Sequence, residues 1–189
     1  MLYERYETRH IFMVLAICAL LFSPLFVLLA PLGVAHTLYY QYGVRLVYAP
    51  SINYWVYGTG WFLIFLGLSL LFLLKLKKTS IVLAIGCLIG SSVLFYGVSK
   101  SFVTITDNTI KYRGIFAKKE SSHEWNQVRK VNFYKMDPEV TYYEFKFKDG
   151  EKLTIKENGH AFEIRSLIER SVIDAGGEYK LIEKKKNNR

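Results

Sequence analysis

The sequence predicts an α+β membrane protein, with three transmembrane helices followed by a small antiparallel β-barrel or sandwich that a C-terminal helix closes. Two observations predict this fold class. Three uncharged apolar runs of 19 or 20 residues occupy the first half of the chain, and segments with alternating polar and apolar residues occupy the second. The charged residues follow the same division, since only eight of the 41 precede Lys100. This division is typical of a membrane region joined to a water-exposed domain.

The apolar runs lie at about 11–30, 55–74 and 81–99. A hydrocarbon core about 30 Å thick needs roughly 20 helical residues to cross it. The first run is longer than the apolar core of a secretory signal peptide, so we expect it to be retained as a span. Residues 1–99 are therefore predicted to form a transmembrane region. No run carries an ionisable residue of the kind that pumps and ion-coupled carriers use, which argues against those classes.

The connections between the runs are also informative. Six residues separate the second and third runs, so these spans are predicted to form a tight hairpin with Lys75, Lys77 and Lys78 at its tip. The loop between the first two runs, residues 36–55, is rich in tyrosine, which is typical of side chains that anchor at a membrane interface. The alternatives for this loop are a short amphipathic segment on the membrane surface and a ligand-binding role for its tyrosines.

Three glycines of the third run share one helix face: Gly86, Gly90 and Gly97. Small residues at this spacing let two helices approach closely. They are predicted to form a packing face within the bundle of this protein, in preference to a face for self-association.

Residues 100–180 are predicted to form the β domain. Apolar and charged residues alternate on both sides of Asp149-Gly150, which is a strong signal for a two-residue hairpin turn. A second hairpin is predicted to turn at Asp107-Asn108. Its predicted buried residues are Val103, Ile105, Ile110, Tyr112 and Phe116.

Further strands are predicted at 118–125 and 128–134, followed by a turn at 136–139. The period then changes to that of an amphipathic helix, which Gly176-Gly177 ends. Residues 181–189 are predicted to be a basic, disordered tail. The apolar face of the helix is predicted to carry Ala161, Ile164, Leu167, Ile168 and Val172.

The stretch "VTITDNTIKYRGIFAKKESSHEWNQVRKVNF" resembles the opening strands of bacterial pleckstrin-homology-like (PH-like) domains, and the resemblance extends over about residues 100–176. It implies a PH-like domain tethered by transmembrane helices, in a family whose members mostly have no established biochemical activity. Some members resemble immunity factors against membrane-active peptides. The matching positions are Thr106, Asp107, Asn108, Ile110, Arg113, Gly114, Trp125, Val128 and Val131.

No catalytic, cofactor-binding or metal-binding site is predicted. The four histidines, His10, His36, His123 and His160, have no partner at metal-ligand spacing. We interpret His123 as part of a solvated strand face. The chain also lacks a phosphate-binding glycine loop and a nucleophile elbow, so it is predicted not to be an enzyme, and no small-molecule substrate is identified.

One cluster of basic residues is the candidate binding patch: Lys111, Arg113, Lys118 and Lys119. Each basic side chain near an anionic membrane contributes about 1 kcal/mol, so the patch could bind lipid headgroups or an acidic partner. Solubility alone is the alternative. Nucleic-acid binding is disfavoured, because glutamates interrupt the patch and the exposed aromatic residues that it requires are not evident.

These features predict a multi-pass protein of the bacterial cell membrane that acts as a non-enzymatic interaction or assembly module. Its expected partners are the bilayer and either other membrane proteins or a second copy of itself. Two alternatives are an immunity protein against a membrane-active peptide toxin and an accessory subunit of a membrane enzyme or transporter. Basic residues in short loops tend to stay cytoplasmic. The lysine tip therefore favours an extracytoplasmic β domain, whereas the PH-like resemblance favours a cytoplasmic one.

Overall fold

The computed structural model of the chain describes residues 8–136, 140–156 and 164–184. The chain divides into two compact units. The helical unit contains the chain up to Val34 together with Ile52–Lys100, and the β unit contains Ala35–Ser51 together with the chain from Ser101 onward. The β unit therefore includes a segment that lies between the first two long helices, and not only the C-terminal half of the sequence.

The described elements follow an α+β order, with helices α1 to α3 in the first half and one further helix near the end. A 3₁₀ turn, Trp125–Gln127, joins β4 to β5. The helices and strands are α1 (Thr8–Tyr39), β1 (Val44–Tyr48), α2 (Ser51–Leu73), α3 (Lys78–Ser99), β2 (Phe102–Thr106), β3 (Thr109–Arg113), β4 (Ser121–Glu124), β5 (Val128–Met136), β6 (Val140–Phe147), β7 (Lys152–Lys156), α4 (Arg165–Asp174) and β8 (Glu178–Lys184).

The helical unit confirms that the chain has three helices long and apolar enough to span a membrane. The candidate spans are His10–Tyr39, Ser51–Leu73 and Lys78–Ser99. Aromatic rings connect the three helices. The Trp61 ring of α2 lies 4.9 Å from the Phe26 ring of α1 and 6.3 Å from the Phe95 ring of α3. The helices therefore pack through large aromatic side chains as well as small residues.

The turn between α2 and α3 places lysines at its tip, as the sequence predicts. It is shorter than predicted, because α2 ends at Leu73 and α3 begins at Lys78. Lys75 and Leu76 have φ angles of 51° and 55°, in the left-handed region that non-glycine residues seldom adopt. Two such residues in succession let the chain reverse within four residues.

Close approach of α2 to α3 occurs at glycines of α2. A Cβ atom added at Gly60 would lie 2.6 Å from the Phe95 ring, and one added at Gly67 would lie 3.2 Å from Cβ of Cys87. Of the glycines predicted on α3, Gly90 contacts Leu63 of α2 and Gly97 is buried, whereas Gly86 faces open space. The structure thus brings Gly90 against α2 and leaves Gly86 outside this contact.

The first sheet of the β unit has the antiparallel strand order β1-β2-β3-β4. The predicted turn at Asp107-Asn108 is confirmed, and Thr106 Oγ1 accepts hydrogen bonds from the backbone N–H groups of both Asn108 and Thr109. The edge strand β1 was not predicted, because its residues were interpreted as an interfacial loop. Its one tyrosine, Tyr48, is buried in the core and does not anchor at a membrane interface.

Strand β1 is held by side chains at both ends. Arg45 forms a two-pronged pair with Asp107, with Nε–Oδ1 and Nη2–Oδ2 distances of 2.9 and 3.0 Å. This hydrogen bond holds the pKa of the Asp107 carboxyl below its usual value. The Tyr48 hydroxyl accepts a hydrogen bond of 3.3 Å from the backbone N–H of Lys156. Because Lys156 belongs to β7, β1 connects the first sheet to the second.

The second sheet has the strand order β7-β6-β5-β8 and is mixed. Strands β5, β6 and β7 are antiparallel neighbours, but β8 runs parallel to β5. The prediction of a purely antiparallel domain was therefore wrong at this strand. The predicted disordered tail was wrong for 181–184, which belong to β8, and residues 185–189 lie outside the described part. A parallel partner is possible here because α4 supplies the crossover that parallel strands need.

The hairpin loop between β6 and β7 encloses three residues, 148–150, between the bonded pair Phe147 and Glu151, rather than the predicted two. The N–H of Gly150 donates to Phe147 O at 3.2 Å, and the N–H of Phe147 donates to Glu151 O at 3.0 Å. Gly150 has a φ of 93°. These two bonds and the left-handed Gly150 match the common three-residue hairpin loop.

A single hydrophobic core lies in the β unit, between the inner faces of both sheets and α4. The predicted helix is confirmed over α4, where Ile168 and Val172 are buried, and it ends as predicted. Gly176 has a φ of 76°, and its N–H and that of Gly177 donate to the carbonyls of Ile173 and Val172, which is a Schellman cap. Predicted helix residue Ala161 and predicted turn residues 137–139 lie outside the described part.

Candidate functional site

The predicted basic patch falls at one end of the first sheet. Lys111 and Arg113 lie on β3, and Lys118 and Lys119 lie on the loop that follows it, residues 114–119, which we call the basic loop. The Lys111 ammonium is 3.9 Å from a carboxylate oxygen of Glu120. Arg113 Nε donates to the carbonyl of Ala117 at 3.1 Å. The four residues therefore have different surroundings. Lys111 has an acidic neighbour, and Arg113 forms a hydrogen bond to the loop.

Lys118 and Lys119 are exposed, and neither has an ion-pair partner among the described residues. Phe116 lies in the same loop and is 70% exposed. The sequence predicted that Phe116 would continue the buried face of the hairpin, and that prediction was wrong. Strand β3 ends at Arg113, and the N–H of Ala117 bonds to Gly114 O at 3.2 Å. The chain turns at this point, so the alternation of the strand no longer applies to Phe116.

Strand register determines which end of the sheet carries the basic loop. Arg113 pairs with Phe102, and Tyr48 pairs with Val103. Phe102 is three residues beyond Ser99, the last residue of α3, and three residues span at most about 11 Å. Tyr48 likewise precedes Ser51, the first residue of α2, by three residues. The basic loop thus lies at the sheet end where the chain enters α2 and leaves α3.

A second cluster of polar residues joins the two sheets, and we call it the His123 cluster: Tyr112, His123, Asp149 and Glu151. His123 Nε2 is 2.8 Å from Asp149 Oδ2, and the Tyr112 hydroxyl donates to Glu151. His123 is only 6% exposed, so its interpretation as part of a solvated strand face was wrong. Sequence spacing could not reveal this cluster, because the residues come from β3, β4 and the β6–β7 turn.

Electrostatics in the His123 cluster follow from these contacts. The hydrogen bond from His123 lowers the pKa of the Asp149 carboxyl. Burial, reinforced by the hydrogen bond to Glu151, raises the pKa of the Tyr112 hydroxyl. The phenol therefore stays protonated at neutral pH and acts as a donor, while Asp149 stays ionised. The His123 ring is stacked on Phe147 at 4.0 Å and faces Tyr112 at 5.8 Å.

An open cleft of about 540 Å³ lies between the β2–β3 turn, the 3₁₀ turn and the end of α4. Its described lining is polar and acidic, and it includes no histidine, cysteine or lysine. Asp107, one of its carboxylates, is already paired with Arg45. Small-molecule sites are usually enclosed and largely apolar with a few polar groups, so this cleft gives no support to an enzymatic function.

Comparisons of the chain with protein-family models, with curated proteins and with solved structures found no match. The resemblance to PH-like domains stays a prediction that rests on the residues quoted above. Function is therefore inferred from the geometry of this chain alone.

Proposed function

We propose that the chain is a multi-pass protein of the cell membrane whose β unit, a PH-like domain, is a non-enzymatic interaction module held against the membrane surface. The observation that supports this proposal is the basic loop, which presents Phe116, Lys118 and Lys119 to solvent at the sheet end nearest in sequence to α2 and α3. An apolar side chain beside exposed lysines is the combination that binds an anionic lipid surface.

Chain connectivity supports the same arrangement. Strand β1 pairs with β2, although α2 and α3 lie between them in the sequence. Two paired strands must lie on one side of a bilayer, so an even number of spans must separate them. Helices α2 and α3 supply two, which is consistent with both of them spanning the membrane.

The expected energy of the loop is modest. Each lysine near an anionic surface contributes about 1 kcal/mol, and burying a phenylalanine contributes about 1.5–3 kcal/mol. Such a loop would attach a soluble protein to a membrane only weakly. In this chain the spans already hold the domain at a high effective concentration near lipid. The loop would then orient the domain, and the surfaces that do not contact lipid would remain accessible to membrane-protein partners or a second copy.

A fluorescent label at position 116 tests this proposal. Cys18 and Cys87 are replaced by Ala, Phe116→Cys is labelled with an environment-sensitive dye, and the protein is placed in nanodiscs of zwitterionic lipid with or without anionic lipid. We expect the emission to shift to the blue in anionic discs, because the label enters an apolar region. High salt should reverse the shift, since screening weakens the attraction of lysines to lipid.

Asn108→Cys is the matched control, because the β2–β3 turn lies at the opposite end of the same sheet. Its label should report water in both kinds of disc. Lys118→Gln with Lys119→Gln should remove most of the shift at position 116. A label at 116 that reports water in anionic discs at low salt would show that the loop does not contact lipid, and the proposal would then be wrong.

Orientation is tested by cysteine accessibility in intact cells. In the same cysteine-free background, a single cysteine at Thr79, beside the lysine tip, or at Asn108, in the β unit, is treated with a membrane-impermeant thiol reagent. The basic tip predicts labelling at 108 and protection at 79, because short basic loops stay cytoplasmic. Labelling at 79 with protection at 108 would contradict this orientation and place the module in the cytoplasm.

A further inference from the structure

We infer that His123, Asp149 and Glu151 form a binding site for one divalent transition-metal ion, of which Zn²⁺ has the best-matching ligand preference. One nitrogen or oxygen atom from each of the three residues lies within 4.8 Å of the others. One imidazole with two carboxylates is a donor set that Zn²⁺ accepts. The hard cations Ca²⁺ and Mg²⁺ prefer sites made of oxygen atoms alone, so the imidazole disfavours them.

The buried ligand of this site is pre-oriented. Phe147 and Tyr112 lie nearly parallel to the His123 ring, with interplanar angles of 19° and 9°. Stacking on both rings restricts rotation of the imidazole, and Nε2 is held towards Asp149. The nitrogen that would bind the ion is therefore in place before the ion arrives.

The two carboxylates can adjust to the ion. Zn–N and Zn–O bonds are about 2.0–2.2 Å long, so the ligand atoms of a tetrahedral site are roughly 3.3–3.5 Å apart. Asp149 and Glu151 are exposed, so their side chains can rotate by the small amount that brings them to this spacing. Water would complete the coordination, as it does where a zinc ion has three protein ligands.

Neighbouring groups also set the expected affinity. The Tyr112 hydroxyl donates to Glu151, and such a bond orients a ligating carboxylate. The Nδ1 atom of His123 is buried and has no hydrogen-bond partner among the described residues. A ligating imidazole usually donates this N–H to a neighbouring group. We therefore expect affinity in the micromolar range rather than the tighter binding of structural zinc sites.

The site would connect the two sheets of the β unit. His123 lies on β4 of the first sheet, and the carboxylates lie at the β6–β7 turn of the second. An ion bound by both would join two elements 26 residues apart in sequence. Because the ligands converge only in the folded state, the ion should stabilise the β unit by mass action.

Calorimetric titration of the purified full-length protein in detergent with Zn²⁺ tests the inference. We expect one ion to bind per chain and the midpoint of thermal unfolding to rise with Zn²⁺ concentration. Glu151→Gln and Asp149→Asn should each weaken binding by about tenfold or more and remove the rise in the midpoint. Both residues are exposed, so these variants should stay folded, which circular dichroism checks. His123→Gln should abolish binding.

His36→Gln is the matched control, since it removes an exposed histidine that lies outside the cluster, and it should bind Zn²⁺ like the parent. Ca²⁺ and Mg²⁺ should give no saturable heat. The inference is overturned if the parent shows no saturable binding below millimolar Zn²⁺. It is also overturned if folded Glu151→Gln and Asp149→Asn bind Zn²⁺ as tightly as the parent does. Neither result would bear on the lipid contact of the basic loop.

Discussion

A polypeptide that joins residues 35–49 to 102–184 through a short Asn-Gly turn should fold cooperatively in water, whereas residues 101–184 alone should not. Tyr48 pairs with Val103, so Ala49 lies opposite Phe102 and a short Asn-Gly turn can replace the whole α2–α3 hairpin. The fused chain keeps β1 and its two buried core side chains, Leu46 and Tyr48. The shorter chain loses both, and it leaves an edge of β2 unpaired.

The expected effect is large compared with the stability of a small domain. Truncating one buried large side chain costs about 2–5 kcal/mol, and losing β1 removes two of them. A domain of this size is stable by only about 5–15 kcal/mol. The sequence predicts that residues 100–180 form the β domain, but its first strand lies outside them, within Ala35–Ser51.

Far-UV circular dichroism and thermal melting measure this difference. The fused chain should show a β-rich spectrum and one cooperative transition, and 101–184 should show neither. Within the fused chain, Leu46→Asp should abolish the transition, because it buries an unpaired charge. Arg45→Gln on the same strand loses only an exposed ion pair with Asp107, which contributes little to stability, and should leave the fold intact. A cooperative melt of 101–184 equal to that of the fused chain would contradict the role assigned to β1.

Gly60→Ile combined with Gly67→Ile should destabilise the helical unit, and Gly86→Ile should not. Side chains at Gly60 and Gly67 would collide with α3, and the atoms nearest to Gly67 include the backbone of Ala84, which cannot move without shifting the helix. Overpacking of this kind costs about 1–3 kcal/mol at each site. Gly86 faces open space, so it is a matched control of the same substitution in the same unit.

Thermal unfolding in detergent, followed by helical circular dichroism, checks this prediction. The double variant should melt well below the parent with the same helical content in the cold, and the Gly86 variant should melt within a few degrees of the parent. The opposite ranking would show that the close contact of the bundle lies on the face of α3 that carries Gly86.

The sequence predicts most elements of this fold, because local patterns determine them. The three apolar runs reach spanning length, Asp107-Asn108 interrupts an alternating pattern, and Gly176 supplies the left-handed residue that ends α4. The sequence does not predict strand β8, because its frequent charged residues are also typical of a disordered tail. Its partner, β5, is 48 residues earlier at the Lys130–Glu178 pair, and no local pattern reports such a pairing.

The candidate sites were less predictable than the elements. The four basic residues of the patch are visible in the sequence, but only the turn that follows β3 shows that Phe116, beside Lys118 and Lys119, is exposed. The cluster around His123 depends on contacts between two sheets, so spacing along the chain could not reveal it. Alternation could have suggested that His123 is buried, since it lies two residues before buried Trp125.

The pairing of β1 with β2 has a consequence for biosynthesis. During translation β1 is complete about fifty residues before its partner appears, and the α2–α3 hairpin must be made in between. If only one helix of the hairpin inserted, β1 and β2 would be left in different compartments and the core could not close. Under the proposed membrane topology, the β unit can therefore close only if α2 and α3 insert together, so a folded β unit excludes the insertion of one helix alone. A failure to close would expose unpaired strands, which are the features that chaperones and proteases act upon.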